Sequence, residues 1–278
     1  MTAPEPAPDD DRLAAADAGI EELEAPGRRR RQLWLIRIAA IVVVFGGWEI
    51  LGRQVSPLFM SYPSAVAVAA VRLVRTGELW VALQSSLTLL VSGFVIAAVI
   101  GVVLGLLIGR YRGMEAATDW LVNALYATPL VAIIPLVTLW FGLGASAKLF
   151  IIVILAVFPI LINTAAGVRD VSAALIDVGT AFAASERQIF TKIILPAAVP
   201  FMMTGLRLGV GRAIIGMVVA EFFTAITGLG ALIVKYGNQY DTASMFVPIF
   251  VLMLLGVGLT LLLRRAETAV APWRRMDE

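Results

Sequence analysis

Residues 86–109 read SLTLLVSGFVIAAVIGVVLGLLIG, without one charged side chain. A helix of about 20 apolar residues crosses the hydrocarbon core of a bilayer, so this stretch predicts a transmembrane helix. Five further stretches have the same character: 33–51, 119–141, 148–168, 201–223 and 243–263. Pro129 and Pro135 interrupt the stretch 119–141. The sequence therefore predicts an all-α membrane protein with six transmembrane helices, the third of them interrupted by proline.

The composition excludes several classes of protein. Of 278 residues, 60% are hydrophobic and 15% charged, whereas soluble domains carry about 25% charged residues. The chain contains neither Cys nor His, which excludes disulfides, Cys/His zinc sites and imidazole bases. We expect no metal site and no cofactor. The net charge of +2, without a basic stripe between aromatic residues, gives no indication of a nucleic-acid partner.

The positions of basic residues predict the orientation in the membrane. Arg28–Arg31 precede the first span, and Arg264 and Arg265 follow the last. Such residues collect on the cytoplasmic side, so both termini are expected there. The segment 52–85, which contains three arginines, would lie outside against this rule. The predicted parts are a disordered cytoplasmic tail with a basic anchor over 1–32, a transmembrane domain over 33–265, and a cytoplasmic tail over 266–278.

The loop 169–200 between the fourth and fifth spans has a helical pattern of its own. Residues 171–182 predict one short helix, and apolar residues at 189, 190, 193 and 194 predict a second. Ser185 and Gln188 have capping-box spacing at the start of the second helix, and Pro196 and Pro200 are expected to disrupt it before the next span. Such a pair of helices could lie on the membrane surface or present a short helix to a partner.

The sequence of this loop resembles that of a known family. Residues 177–185 read DVGTAFAAS, followed by Phe190, the stretch 195–198 with sequence LPAA, and Pro200. This is similar to the EAA loop of the permease subunits of ABC importers. The chain departs from the family pattern at two positions, since Asp177 stands in place of Glu and Ala183 in place of Gly.

The resemblance extends over roughly residues 33–273. Motifs similar to those of the sulfonate, nitrate and taurine subgroup are Asn123-Ala124-Leu125, Pro129, Pro135-Leu136, Leu139-Trp140-Phe141-Gly142, Pro159-Ile160-Leu161-Ile162-Asn163-Thr164, Thr204-Gly205-Leu206-Arg207, Ala220-Glu221 and Gly228-Leu229-Gly230. Each motif alone is weak, but the combination is specific. It implies the fold of a type I ABC importer permease with a cytoplasmic helix-turn-helix coupling loop, and a small anion such as an alkanesulfonate, taurine or nitrate as the solute.

The resemblance also implies partners. The coupling loop would dock on a separate ATPase subunit, in an assembly of two permease copies, two ATPases and an external solute-binding protein. It assigns the contact to Asp177, Gly179, Phe182, Ala183, Ala184, Ser185, Arg187, Phe190, Pro196 and Pro200. The sequence contains no Gly-x4-Gly-Lys-Ser/Thr motif, so we expect a transport subunit and not an enzyme.

Charged residues in the fifth predicted span suggest a translocation path. Arg207 and Glu221 share a helix face but lie about 21 Å apart, too far to pair with each other. Arg212 points elsewhere and could attract an anion. Alternatively, these groups pair with neighbouring spans while glycines allow close packing. The candidate path residues are Arg207, Arg212, Glu221, Asn123, Pro129 and Pro135.

Two other classes of protein are less consistent with the sequence. A secondary transporter, which needs no ATPase, predicts internal repeats and paired broken helices, and we find no convincing repeat. A membrane enzyme needs converging nucleophiles, bases or metal ligands, and the chain offers only scattered carboxylates. The segment 227–241, rich in glycine and too short to cross the membrane, predicts a partial helix that dips back toward the bilayer.

Overall fold

The computed structural model describes the backbone of residues 9–224 and 226–270, and the side chains of 31–224 and 226–269. Over these residues the regular structure is entirely helical. The α-helices are α1 (Asp9–Gln54), α2 (Pro63–Arg75), α3 (Glu78–Arg110), α4 (Arg112–Ala127), α5 (Ile134–Phe141), α6 (Ala145–Arg169), α7 (Ala173–Ala181), α8 (Glu186–Ile189), α9 (Leu195–Thr224), α10 (Leu229–Asn238) and α11 (Thr242–Val270). The chain divides into two compact units, Met1–Ser64 and Ala65–Glu278.

The first unit is dominated by one long helix. α1 begins at Asp9, so the tail predicted to be disordered over 1–32 is helical from that residue on; residues 1–8 lie outside the described part. The stretch 13–18 is rich in alanine, and it continues without a break into an apolar helix, which removes the cost of nucleation. Beyond α1 the chain folds back, where Trp48 Nε1 donates to Ser61 O at 2.8 Å.

The second unit is built around three long helices that approach closely through glycines. A Cβ on Gly105 of α3 would lie 2.6 Å from Thr164 Cβ of α6, and one on Gly209 of α9 would lie 2.7 Å from Ile160 Cδ1. Small residues at such contacts let helix backbones pack closely in a bilayer, where the hydrophobic effect does not drive association. α6 therefore forms the centre of the unit, between α3 and α9.

The predicted spans agree with the helices except where proline intervenes. In the described chain, five helices are long and apolar enough to cross a membrane, and α4 with the segment Leu130–Phe141 forms a sixth crossing if that bent pair is counted as one. The pair bends by 82° next to Pro129, as the sequence predicts. Pro135 lies instead in the first turn of α5, where the missing N–H costs nothing.

The prolines at the end of the coupling loop have a smaller effect than the sequence predicts. α8 continues through a π-turn, Phe190–Ile194, into α9, and residues 186–224 form one continuous helical run. The disruption expected before the next span is limited to this π-turn, and the helix does not end at Pro196 or Pro200. Pro196 is the second residue of α9, and the wider π-turn ahead of it makes room for a ring that lacks an N–H.

Candidate functional site

The coupling loop, residues 169–200, is a compact helix-turn-helix. α7 ends in a Schellman motif: Ala184 N–H donates to Gly179 O at 3.0 Å, and Ala183 N–H donates to Thr180 O at 2.9 Å. Ala183 takes the left-handed conformation, with φ of 53°. This is the position where the family pattern has Gly, so the turn forms with Ala at the cost of some backbone strain.

The second helix of the loop begins at the capping box that the sequence predicts. Ser185 Oγ accepts from Gln188 N–H at 3.3 Å, and Gln188 Oε1 accepts from Ser185 N–H at 2.8 Å. These two bonds satisfy backbone donors that a helix start leaves unpaired. The direction of the chain after the turn is thereby fixed within four residues.

Gly179 holds the two helices of the loop against each other. A Cβ at this buried residue would lie 2.9 Å from Ile193 Cδ1 and 3.4 Å from Ile189 Cγ1. Behind this contact, Ile194 and Ala198 pack with Val168 at the end of α6. The loop is therefore anchored on the helix bundle, so a force on the loop would be transmitted to α6 and α9.

The outer surface of the loop combines exposed apolar and charged side chains. Phe182 is 85% exposed, and Leu175 and Val178 on α7 are 52% and 54% exposed. Asp177 and Arg187 are also exposed. Apolar side chains clustered at a polar surface are typical of a protein interaction site. Of the other predicted loop residues, Ala184, Phe190, Pro196 and Pro200 are half-buried.

Arg207 and Glu221 are each held by a different neighbour. Arg207 forms an ion pair with Glu267 near the end of α11, at the end of the bundle that carries the coupling loop. The Arg207 Nε atom is buried and has no hydrogen-bond partner among the described residues. Arg207 therefore pairs with a neighbouring span, which is the alternative to a direct role in the translocation path.

Glu221 is fully buried and organises the opposite end of the bundle. Its carboxylate accepts from Ser86 Oγ of α3 at 2.6 Å and from Gly230 N–H at 2.7 Å, while Ser86 Oγ accepts from Leu229 N–H at 2.8 Å. A carboxylate at the start of α10 is stabilised by the helix dipole. Because its side chain is 0% exposed, Glu221 does not line an open surface of the described chain.

α10 is the partial helix that the sequence predicts, and it is also held near its C-terminal end. Glu78 pairs with Lys235 and accepts from Tyr236 Oη at 2.7 Å. Burial and this hydrogen bond raise the pKa of Tyr236 to about 12, so the phenol keeps its proton. Arg72 pairs with Asp241 at 2.9 Å, just beyond α10.

Arg212 lies near the middle of α9, and its side chain is exposed. Among the described residues no carboxylate pairs with it. Leu208 and Ile215, one turn away on the same face, are exposed too, and a Cβ on the neighbouring Gly211 would meet nothing within 4 Å. The chain thus leaves one face of α9 uncovered, with a cation at its centre.

A groove of about 650 Å³, with several polar side chains in a mainly apolar lining, opens near the end of the bundle opposite the coupling loop. Gln84, Thr88 and Ser92 line it from α3 and Lys148 from α6; the buried Lys148 Nζ donates to Thr227 Oγ1 at 3.3 Å. These four residues were not predicted as site residues. The spacing of four between Gln84, Thr88 and Ser92, polar residues in an apolar stretch, was the available signal.

The predicted path residues of the third span lie on the surface of the described chain. Asn123 donates to Asp119 Oδ2 at 3.1 Å within α4, and Pro129 and Pro135 are exposed on either side of the 3₁₀ turn Leu130–Ile133. None of the residues of α4 is buried. The structure does not bring these three residues together with Arg212 or Glu221 in one cavity of the described chain.

Comparison with known proteins identifies relatives over most of the chain. Residues 97–275 match the family described as binding-protein-dependent transport system inner membrane component. A putative aliphatic sulfonates transport permease protein of Bacillus subtilis is 31% identical over 91% of this chain and 92% of its own. The taurine transport system permease protein of Escherichia coli is 28% identical over 89% of this chain and 92% of its own.

Solved structures of low sequence identity share the fold. A crystal structure of an amino acid ABC transporter contains a chain with a TM-score of 0.52 and 17% identity, which covers 73% of this chain and 97% of that one. The MetNI methionine ABC transporter in inward-facing conformations gives a TM-score of 0.50 and 21% identity over 66% of this chain. The fold is that of a type I ABC importer permease, as predicted. The chain belongs to the family of binding-protein-dependent transport system inner membrane components and is a permease subunit of an ABC importer.

Proposed function

We propose that this permease works as a symmetric dimer with two ATPase subunits and an external solute-binding protein, and imports a small organic or inorganic anion such as a sulfonate, taurine or nitrate. Both termini and the coupling loop lie in the cytoplasm. The observation that carries the proposal is the exposed patch of Phe182, Leu175 and Val178 on a rigidly anchored helix-turn-helix. Relatives named for aliphatic sulfonates and taurine support the solute class.

The coupling loop transmits ATPase movement to the bundle. Phe182 fills an apolar groove of the ATPase subunit, while Asp177 and Arg187 provide charged contacts at its edge. The glycine contact at Gly179 and the core around Ile194 make the loop and the start of α9 move as one body. Hydrolysis belongs to the partner, because the sequence has no Gly-x4-Gly-Lys-Ser/Thr motif of its own.

A second copy covers the faces of α4 and α9 that a single chain leaves uncovered. α4 buries none of its residues although it carries the polar pair Asp119 and Asn123, and Arg212 is exposed near the middle of α9. Exposure of a charge to the bilayer centre costs at least about 2.5–3.5 kcal/mol on insertion scales. These faces therefore meet a second copy or a water-filled path, and the dimer supplies both.

Arg212 is the residue that favours anions in this path. Near mid-span, a guanidinium without a carboxylate partner raises the local concentration of negative solutes. The groove beside Lys148 and Thr88 forms the outer part of the path. There, hydroxyl and amide groups replace the water molecules that hydrate the solute. Glu221 and Arg207 support the walls of the path through their bonds to α10 and α11, and Pro129 and Pro135 shape its third-span side.

The ATPase contact is tested by co-purification of the detergent-solubilised permease with the ATPase encoded beside it. We expect the Asp177→Lys and Phe182→Ala variants each to co-purify with at least tenfold less ATPase than the wild type. Phe59→Ala is a matched control, because Phe59 is likewise an exposed phenylalanine, at 81%, but does not belong to the coupling loop. An ATPase that binds wild type and both loop variants equally contradicts the proposed contact.

The solute class is tested by ATP-driven uptake in proteoliposomes with the neighbouring binding protein. We expect uptake of a sulfonate or nitrate to fall at least tenfold in Arg212→Gln and to be partly retained in Arg212→Lys. Uptake that continues without any ATPase would favour the secondary transporter instead. Unchanged anion uptake by Arg212→Gln would remove Arg212 from the path while leaving the importer assignment in place.

A further inference from the structure

A small pocket lies where α3 ends next to the coupling loop. It has a volume of about 290 Å³. Leu106, Leu107, Tyr111 and Phe190 form its walls. Arg110 and Arg187 line its rim from two different elements, the last residue of α3 and the first turn of α8. The pocket shares Arg187 with the proposed ATPase contact, but its other lining residues lie outside that contact and outside the proposed transport path.

The pocket has an excess of positive charge. Glu186 is the one carboxylate among its lining residues, and it lies 3.7 Å from Arg110 while 90% exposed. An ion pair of this length with so exposed a partner neutralises little of the charge on Arg110. Arg187 forms no ion pair with a described carboxylate. The exposed Arg112 adds a further cation one residue beyond Tyr111.

The pocket is also amphipathic along the membrane normal. Leu106 and Leu107 belong to the last apolar turn of the span Glu78–Arg110, so they lie at the depth of acyl chains. Arg110 ends that span, and its guanidinium lies 5.8 Å from the centre of the Tyr111 ring, in the layer of headgroups where tyrosine and arginine concentrate. A ligand that fits must be apolar at one end and anionic at the other.

We propose that this pocket binds an anionic phospholipid, with the headgroup phosphate between Arg110 and Arg187 and an acyl chain against Leu106, Leu107 and Phe190. A guanidinium matches phosphate oxygens with two parallel hydrogen bonds, and basic pockets beside membrane helices on one face of the bilayer recognise such headgroups. The lipid bridges α3 and α8, and so ties the coupling loop to the membrane-embedded bundle.

The proposal is tested on the purified full-length permease without an ATPase, so that the outcome does not depend on the proposed importer function. Native mass spectrometry measures binding of dioleoyl phosphatidylglycerol and of dioleoyl phosphatidylcholine. We expect the anionic lipid to bind at least tenfold more tightly than the zwitterionic one. Arg110→Gln combined with Arg187→Gln should weaken phosphatidylglycerol binding about 25-fold, since each cation near the headgroup contributes about fivefold.

Control variants separate the pocket from general loss of charge. Arg75→Gln removes an exposed arginine from α2 and should leave phosphatidylglycerol binding unchanged. Arg110→Lys with Arg187→Lys keeps both charges and should lose less than fivefold; it also provides a test if the glutamine variant fails to fold.

Three results would overturn the proposal. One is equal binding of the two lipids to wild type. Another is wild-type phosphatidylglycerol affinity in the glutamine variant. The third is displacement of phosphatidylglycerol from the wild type by millimolar inorganic phosphate. That result would identify a free anion as the ligand and would give the acyl chains no part in binding.

Discussion

Of the five described residues with a positive φ, Ala183 and Gly228 differ most clearly in what surrounds them. Ala183 ends α7 in the coupling loop with φ of 53°, and Gly228 precedes α10 with φ of 110°. Both turns lie within motifs that resemble the family pattern, one a Gly position occupied by Ala, the other a retained Gly. The chain has thus replaced one glycine and kept the other.

The difference follows from backbone conformation and from burial. Gly228 combines its φ of 110° with a ψ of 178°, a region open essentially to glycine alone. Ala183 is exposed, so its methyl group meets water and the turn needs only the backbone conformation, which Ala can adopt at a cost of about 1–2 kcal/mol. Gly228 is buried, and a Cβ there would overlap the Glu221 carboxylate. A glycine required for conformation alone can be replaced at modest cost, whereas a glycine required for both conformation and space cannot.

Of the substitutions that test this comparison, Gly228→Ala should have the largest effect on stability. The new methyl group displaces the Glu221 carboxylate from Ser86 and Gly230 and leaves a buried charge without its donors, which costs on the order of 4 kcal/mol. We expect a large fall in the thermal unfolding temperature of the detergent-solubilised protein. Gly211→Ala is the matched control, because a Cβ there meets nothing within 4 Å; equal unfolding temperatures in the two variants would contradict the structure of the turn.

Glu221→Gln should have a smaller effect, because the side chain keeps its shape. The amide retains one oxygen for Gly230 N–H but presents an NH₂ group where the carboxylate accepted from Ser86 Oγ. The loss of one buried hydrogen bond to a charged group costs about 2 kcal/mol. Thermal unfolding checks this value. Ser86→Ala removes the same bond from the other side and also leaves Leu229 N–H without its acceptor. A double variant that costs less than the sum of the two single variants would show that the two residues share one contact.

Ala183→Gly should stabilise the coupling loop. Glycine removes the strain of the left-handed conformation, which outweighs its greater freedom in the unfolded chain by up to about 1 kcal/mol. Hydrogen exchange of the Ala184 amide, which donates across the turn, measures the local opening and should slow. Ala184→Gly changes the neighbouring residue, which has no positive φ, and should destabilise the loop. Faster hydrogen exchange of the Ala184 amide in Ala183→Gly than in the wild type would contradict the presence of backbone strain at Ala183.

Asp241, just beyond α10, should give the smallest effect. Partial burial raises the pKa of Asp241, but hydrogen bonds from Ser244 and the ion pair with Arg72 outweigh it and lower the pKa below its ordinary value. The stabilisation is therefore complete above the ordinary value of about 3.9 and is lost as the pH falls through the lower folded pKa.

The measurement compares wild type with Asp241→Asn at several pH values. We expect a difference in unfolding free energy of about 0.5 kcal/mol at pH 7, typical of a partly exposed ion pair, which shrinks as the pH falls below the ordinary value and vanishes below the lower folded pKa. A difference that does not shrink on acidification would show that the carboxylate charge does not hold this end of α10.

Local patterns were sufficient to predict much of the fold. The apolar stretches became long helices, Pro129 marks the bend of the third crossing, and the capping box of Ser185 and Gln188 forms as its spacing predicts. Each of these features depends on residues within four positions of one another or on a run of one residue type. The helix from Asp9 and the helical passage through Pro196 were not predicted. In α1 the tail continues into the apolar segment that follows it, and α9 continues from the helical turns that precede Pro196.

The side-chain partners could not be predicted. Arg207 pairs with Glu267, 60 residues further on, and Ser86 donates to Glu221 across 135 residues. The groove beside Lys148 likewise combines residues of α3, α6 and the segment after α9. Periodicity places a residue on a face of its own helix, but it does not say which helix lies opposite.

The sequence by itself determined that this chain spans a membrane as helices and presents a helix-turn-helix loop, because hydropathy, capping and proline act over a few residues. Only the tertiary structure decided what each charge in the bundle does. Glu221 became the anchor of α10, whereas Arg212 was left on an uncovered face of α9. The physical reason is that a buried charge takes its role from the donors and acceptors that packing brings to it, and packing depends on contacts far apart in the chain.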